Sequence, residues 1–102
     1  MKPLFLVGYM GCGKSTLGRK LARRLGVGFV DTDALVEEQA GASVADVFRY
    51  EGEARFREAE REALERAIAA GGETVVSTGG GLPTWGDNMQ RMNGVGHTVF
   101  LH

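Results

Sequence analysis

The stretch GYMGCGKST, residues 8–16, sets three glycines and a lysine into nine positions directly behind the apolar run Leu4 to Val7. Gly8, Gly13, Lys14 and Ser15 satisfy every fixed position of G-x-x-x-x-G-K-[ST]. Glycines there permit backbone dihedrals and close approach that a Cβ would block, so successive N–H groups can converge on phosphate oxygens. A helix that starts at the lysine adds its N-terminal partial positive charge. Lys14 can then reach the outer phosphates and the Ser15 hydroxyl can ligate Mg²⁺. The loop is therefore expected to hold the phosphate tail of a nucleotide, with Gly11, Cys12, Gly13, Lys14, Ser15 and Thr16 as the contacting residues. Cys12 sits at a variable position of the pattern and reads as a small loop residue.

A phosphate-bound Mg²⁺ also wants a carboxylate. The third apolar run, Thr74-Val75-Val76, is followed by Ser77-Thr78-Gly79 and carries no acid, whereas the second run ends in Asp31-Thr32-Asp33. Two close acids raise one another's pKa unless a cation intervenes. One acid on the metal and the other on a substrate hydroxyl is the economical division. Asp33 could alternatively cap a helix, a role that does not exclude catalysis. On the long helix further along, Arg57 and Glu60 fall within the apolar stripe of Phe56, Ala63, Leu64, Ala67 and Ile68. Three residues apart, they can pair. Desolvation makes such a pair costly, so a recognition role is expected, with the guanidinium fork reading a carboxylate or phosphate and Glu60 orienting it; the alternative is that the first turns of this helix are solvent-exposed and the pair superficial.

These residues must be positioned by an alternating chain of strands and helices. Leu4 to Val7 is a short continuous apolar run of the kind buried on both faces of a parallel sheet. Leu17, Leu21 and Leu25 then recur at helical spacing before Gly26. Strands are predicted at 28–31, 74–76 and 97–101. Helices are predicted at 33–39, at 44–50 capped by Ser43 and stopped near Gly52, at 53–70, and more weakly at 84–93. The order implies an α/β domain with a parallel sheet flanked by helices. Ligand sites in such sheets gather at the carboxyl ends of strands, so 8–15, 31–33 and 77–81 should face one crevice.

Bulk composition narrows the partners. The 102 residues, 43% hydrophobic, suit a single domain spanning 1–102. A net charge of -1 and the lack of a basic run give no footprint for nucleic acid. No stretch is long and apolar enough for a membrane span, so no membrane partner is expected. One cysteine excludes an intramolecular disulfide and suits a reducing compartment, so a cytoplasmic setting is expected; a monomer is the expected state. His97 and His102 have no metal-ligand spacing. Pro83 and Trp85 follow the glycine triplet, where either pocket shaping or packing would explain them.

Four motifs in order, the P-loop at 8–16, DTD at 31–33, SVADVFRYEGEARFREAE at 43–60 and VVSTGGGL at 75–82, resemble shikimate kinase along the whole chain. The resemblance implies a P-loop kinase fold, incomplete at the C-terminus because the family's lid arginine and adenine-contacting segment do not fit after Phe100. It implies ATP-dependent phosphorylation of the shikimate 3-hydroxyl, with Mg²⁺ as cofactor and ATP and shikimate as partners. Asp31 would help hold Mg²⁺ with Ser15, Asp33 would bind the hydroxyl and act as base beside Lys14, and Arg57 would bind the shikimate carboxylate. Glu60 would orient Arg57, and Gly79, Gly80 and Gly81 would line the pocket. Another small-molecule P-loop kinase would not need FR with a paired acid or the triple glycine. A non-catalytic nucleotide-binding fragment is the alternative from a different class. A guanine-nucleotide switch would want Asn-Lys-x-Asp, which does not occur.

Overall fold

A computed structural model describes residues 3–8, 14–79 and 81–101, with the Lys14 side chain excluded. Four strands, β1 (Leu4–Gly8), β2 (Gly28–Asp31), β3 (Thr74–Ser77) and β4 (His97–Leu101), form one sheet in the order β2-β3-β1-β4. Every pairing is parallel, with Phe5 opposite Val76 and Thr98, and Asp31 opposite Ser77. Because β1 has a neighbour on each side, its residues face helices on both faces of the sheet. Leu6 packs with Ala22 and Val75 beneath α1 (Lys14–Leu25). Phe5 and Val7 point the other way, onto Leu64, Ala67 and Met92. Those residues come from α3 (Val44–Ala69) and α4 (Asn88–Val95). A second cluster, Val36, Val47, Phe56 and Ala63, joins α2 (Thr32–Ala40) to α3. No helix among the described residues is long and apolar enough to cross a membrane.

Helix ends follow local chemistry. Ser43 caps α3 by accepting from the Asp46 N–H at 3.2 Å. Gly52 breaks α3 at φ 88° and ψ 168°, so 44–51 and 53–69 are two helical pieces with different axes. α2 begins one residue earlier than expected, and its cap is Asp31, not Asp33: Asp31 Oδ1 accepts from Asp33 N at 2.9 Å and Ala34 N at 3.3 Å. α4 also differs, because residues 82–84 form a 3₁₀ turn and the helix proper starts at Asn88. The packing face of α1 is another correction. Leu17 and Leu25 are about half exposed, at 45% and 50%, while Gly18 and Ala22 are buried against the sheet. A Cβ on Gly18 would lie 2.7 Å from Phe29 Cε1, so the helix approaches the sheet through its small residues.

Candidate functional site

The five residues joining β1 to α1 lie outside the described part, and with them the expected nucleotide contacts Gly11, Cys12 and Gly13. The strand and helix that frame them are in place, with β1 ending at Gly8 and α1 starting at Lys14. Thr16 is exposed on the first turn of α1. Ser15, on the same turn, donates its hydroxyl proton to Asp31 Oδ2 at 2.6 Å, and its oxygen lies 3.3 Å from Ser77 Oγ. This joins the helix N-terminus to the carboxyl ends of β2 and β3. Asp31 divides its two oxygens between capping α2 and holding Ser15.

The residue types here suit a small hard cation. The Ser15 proton is directed to Asp31 and the Ser77 hydroxyl faces one Ser15 lone pair, which leaves the other available, and every polar side-chain atom in the cluster is oxygen. Among the described residues no three His, Cys, Asp or Glu side chains gather to cage a metal alone. Mg²⁺ does not require such a cage, since it keeps several waters and takes phosphate oxygens.

Beyond Asp31 the crevice turns acidic. Gly79 lies against two carboxylates: a Cβ there would sit 2.6 Å from Asp33 Oδ1 and 3.0 Å from Glu60 Oε1. Its N–H donates to Thr32 Oγ1 at 2.9 Å, which fixes the glycine loop to the start of α2. Thr78 is held in turn by Leu6 O, through its N–H at 3.1 Å and its hydroxyl at 2.9 Å. Glu60 is 1% exposed, and neither of its oxygens meets a hydrogen-bond donor. Burial first, and then the Asp33 carboxylate, push its pKa up to about 9. At neutral pH Glu60 is therefore a neutral acid, which removes the second of two adjacent negative charges.

The expected Arg57–Glu60 pair does not form. Glu60 projects inward to Asp33, while Arg57 stays about half exposed and pairs with Glu53, one turn earlier on the same helix. Its guanidinium carbon stands 5.1 Å from the centre of the Trp85 ring. Separated by three residues, the two side chains reach different depths: Glu60 is buried against Gly79 and Asp33, while Arg57 lies out over Trp85. Trp85 also meets Phe56 edge-on, with centroids 5.6 Å apart. Gly81 lies under the indole, where a Cβ would come 2.5 Å from Cζ2. Gly80 lies outside the described residues.

Metal-suited oxygens and paired acids thus gather where β2 and β3 end, and an arginine lies over Trp85, which covers Gly81 just beyond β3. Against known proteins, the family model described as shikimate kinase matches residues 10–102. The chain belongs to the shikimate kinase family. A shikimate kinase from Bacteroides thetaiotaomicron is 49% identical over 102 residues, covering 100% of this chain and 58% of that protein. A shikimate kinase from Persephonella marina is 44% identical over 101 residues, covering 99% of this chain and 61% of its own length. Among solved structures, the Bacteroides thetaiotaomicron enzyme superposes with a TM-score of 0.92 at 48% identity, covering 99% of this chain and 57% of that one. Shikimate kinase from Acinetobacter baumannii, in complex with shikimate, superposes with a TM-score of 0.92 at 37% identity, covering 100% of this chain and 56% of that one. The chain therefore spans somewhat under two thirds of the length of these family members.

Sequence reasoning passed over Glu53 and Thr32. Glu53 stands four residues before Arg57, a spacing that favours ion pairs on a helix, and that signal was available. Thr32 carried no signal, because its partner, the Gly79 amide, is 47 residues away.

Proposed function

We propose that this chain provides the nucleotide-facing and acceptor-binding part of a shikimate kinase, which transfers the γ-phosphoryl group of ATP to the 3-hydroxyl of shikimate. The observation that supports the reading is Asp33, seated against Gly79 beside the buried Glu60 and two residues from Asp31, which holds Ser15. A bound acceptor that reaches from Arg57 towards the phosphate loop would pass its hydroxyl over Asp33. In the reaction the acceptor oxygen forms its bond to the γ-phosphorus, the bond to the β-phosphate bridging oxygen breaks, and Asp33 takes the hydroxyl proton. ADP leaves with the bridging oxygen.

Lys14 is assigned to the outer phosphates, and Gly11, Cys12, Gly13, Ser15 and Thr16 to the remaining nucleotide contacts. Ser15 would hold Mg²⁺ directly, with Asp31 accepting the Ser15 proton and bonding the ion's water shell. The ion would supply charge neutralisation on the phosphates. Arg57 would take the acceptor carboxylate by exchanging Glu53 for it, and Gly79, Gly80 and Gly81 would give the ring close access to backbone. We assign residues 1–102 to part of one P-loop kinase domain and the setting to the cytoplasm, in keeping with one cysteine, and we take the protein to act as a monomer.

The test is ADP release coupled to a reporter enzyme, with and without shikimate. Release that depends on shikimate supports the proposal. Nucleotide binding without any shikimate-dependent release would instead favour a non-catalytic nucleotide-binding role.

A further inference from the structure

Three features outside the reacting centre invite a role: the cleft between α2 and α3, the β4 edge, and the aromatic group around Trp85. The cleft has a volume of about 280 Å³ over an apolar floor, and its one cation, Arg55, is already paired with Glu58 and Glu62. The edge strand leaves Val99 and Phe100 exposed, with no occupant indicated. Trp85 is different, because it touches both halves of the proposed acceptor pocket.

We infer that Trp85 is the specificity-determining wall of that pocket, a positioning residue whose indole holds the Arg57 guanidinium for an acceptor carboxylate; the inference rests on the function proposed above. Three contacts place the ring. Its face lies 5.1 Å from Arg57 Cζ. Its edge meets Phe56 at an interplanar angle of 77°. Its benzo side covers Gly81 so closely that a Cβ there would lie 2.5 Å from Cζ2 and 3.0 Å from Cε2. The glycine at 81 thus makes room for the indole as well as for any ligand.

The segment carrying Trp85 is tied down on both sides. Arg61 donates to Asn88 Oδ1 at 2.7 Å, and Asn88 Nδ2 donates to Leu82 O at 2.8 Å. Leu82 itself is fully buried. A ring held this firmly is a fixed platform for a flexible cation. Arg57 has its guanidinium carbon over the Trp85 ring and its Nη2 on Glu53, so the cation–π contact limits where the fork can sit while the ion pair can be exchanged. Restricting the fork in advance reduces the ordering cost that a bound carboxylate would otherwise meet.

The test compares calorimetric affinities for shikimate, for its uncharged methyl ester and for ATP in the full 102-residue chain. Trp85→Leu is expected to weaken shikimate by roughly three- to tenfold while the ester and ATP bind as before. Trp85→Phe, which keeps an aromatic face, should recover most of the loss. Arg57→Ala should remove the preference for the acid over the ester. Trp85 is the only tryptophan, so its emission should change as shikimate binds. Equal losses for acid and ester in Trp85→Leu, or flat emission while calorimetry registers binding, would overturn the role of Trp85 and leave the carboxylate reading of Arg57 standing. An unchanged acid preference in Arg57→Ala, or no shikimate binding by the unaltered chain, would overturn that reading and this inference with it.

Discussion

Replacing Glu60 by glutamine is expected to stabilise the protein at alkaline pH and to leave it nearly unchanged in acid. Glu60 is 1% exposed, meets no donor and faces Asp33. An unfolded chain releases this proton near the ordinary carboxyl value of 4.5, whereas the folded chain retains it up to about 9. Between those limits the unfolded state binds fewer protons, so stability falls as pH rises, by at most about 1.4 kcal/mol per pH unit. At pH 8 the ceiling is about 5 kcal/mol, and relaxation of the site or entry of water would lower it to about 2 kcal/mol. Glutamine matches the neutral acid in shape and can donate to Asp33 without titrating. Urea denaturation of both proteins from pH 5 to pH 9 measures the difference directly. The two curves should coincide near pH 5 and separate progressively above it. Parallel curves across the whole range would refute the claim that Glu60 folds as a neutral acid.

Other consequences follow from the same contacts. Asp33→Asn should lower shikimate-dependent ADP release about 100- to 10,000-fold while nucleotide affinity holds, because the proton acceptor alone is lost; a near-normal rate would remove Asp33 from that role. Arg57→Ala should weaken shikimate binding by about 10- to 100-fold with ATP affinity retained, as measured by calorimetry. Gly79→Ala should push the Asp33 carboxylate aside, since the new methyl would lie 2.6 Å from Oδ1, and steady-state kinetics should then show a lower turnover. Gly18→Ala, with its methyl 2.7 Å from Phe29 Cε1, should destabilise the domain by about 1–3 kcal/mol in thermal or urea unfolding.

Much of this architecture was legible in the residues because its signals are local. β2 and β4 run over the expected residues, 28–31 and 97–101. Both are short runs punctuated by glycine or by a helix signal, and parallel strands give such compact patterns. The break at Gly52 was legible for the same reason, since a positive φ needs a glycine whatever surrounds it. The face of α1 was not. Leucines spaced by four residues drift about 40° per step around a helix, so Leu17 and Leu25 diverge from the line of contact. Gly18 and Ala22 win that line because small side chains let the helix come close to the sheet, and hydrophobicity alone does not register this.

By itself the sequence determined the phosphate-loop motif, the acids after the second strand, the glycine triplet and the inward placement of Glu60, all of which depend on residue type and on spacing within one element. Tertiary structure decided the partners: Asp31 with Ser15, Glu60 with Asp33, and Arg57 with Glu53 and Trp85. The difference is physical. Helical and strand periodicity sets the direction in which a side chain leaves its own backbone, but its neighbour there is set by how two elements, often tens of residues apart, pack across a shared core.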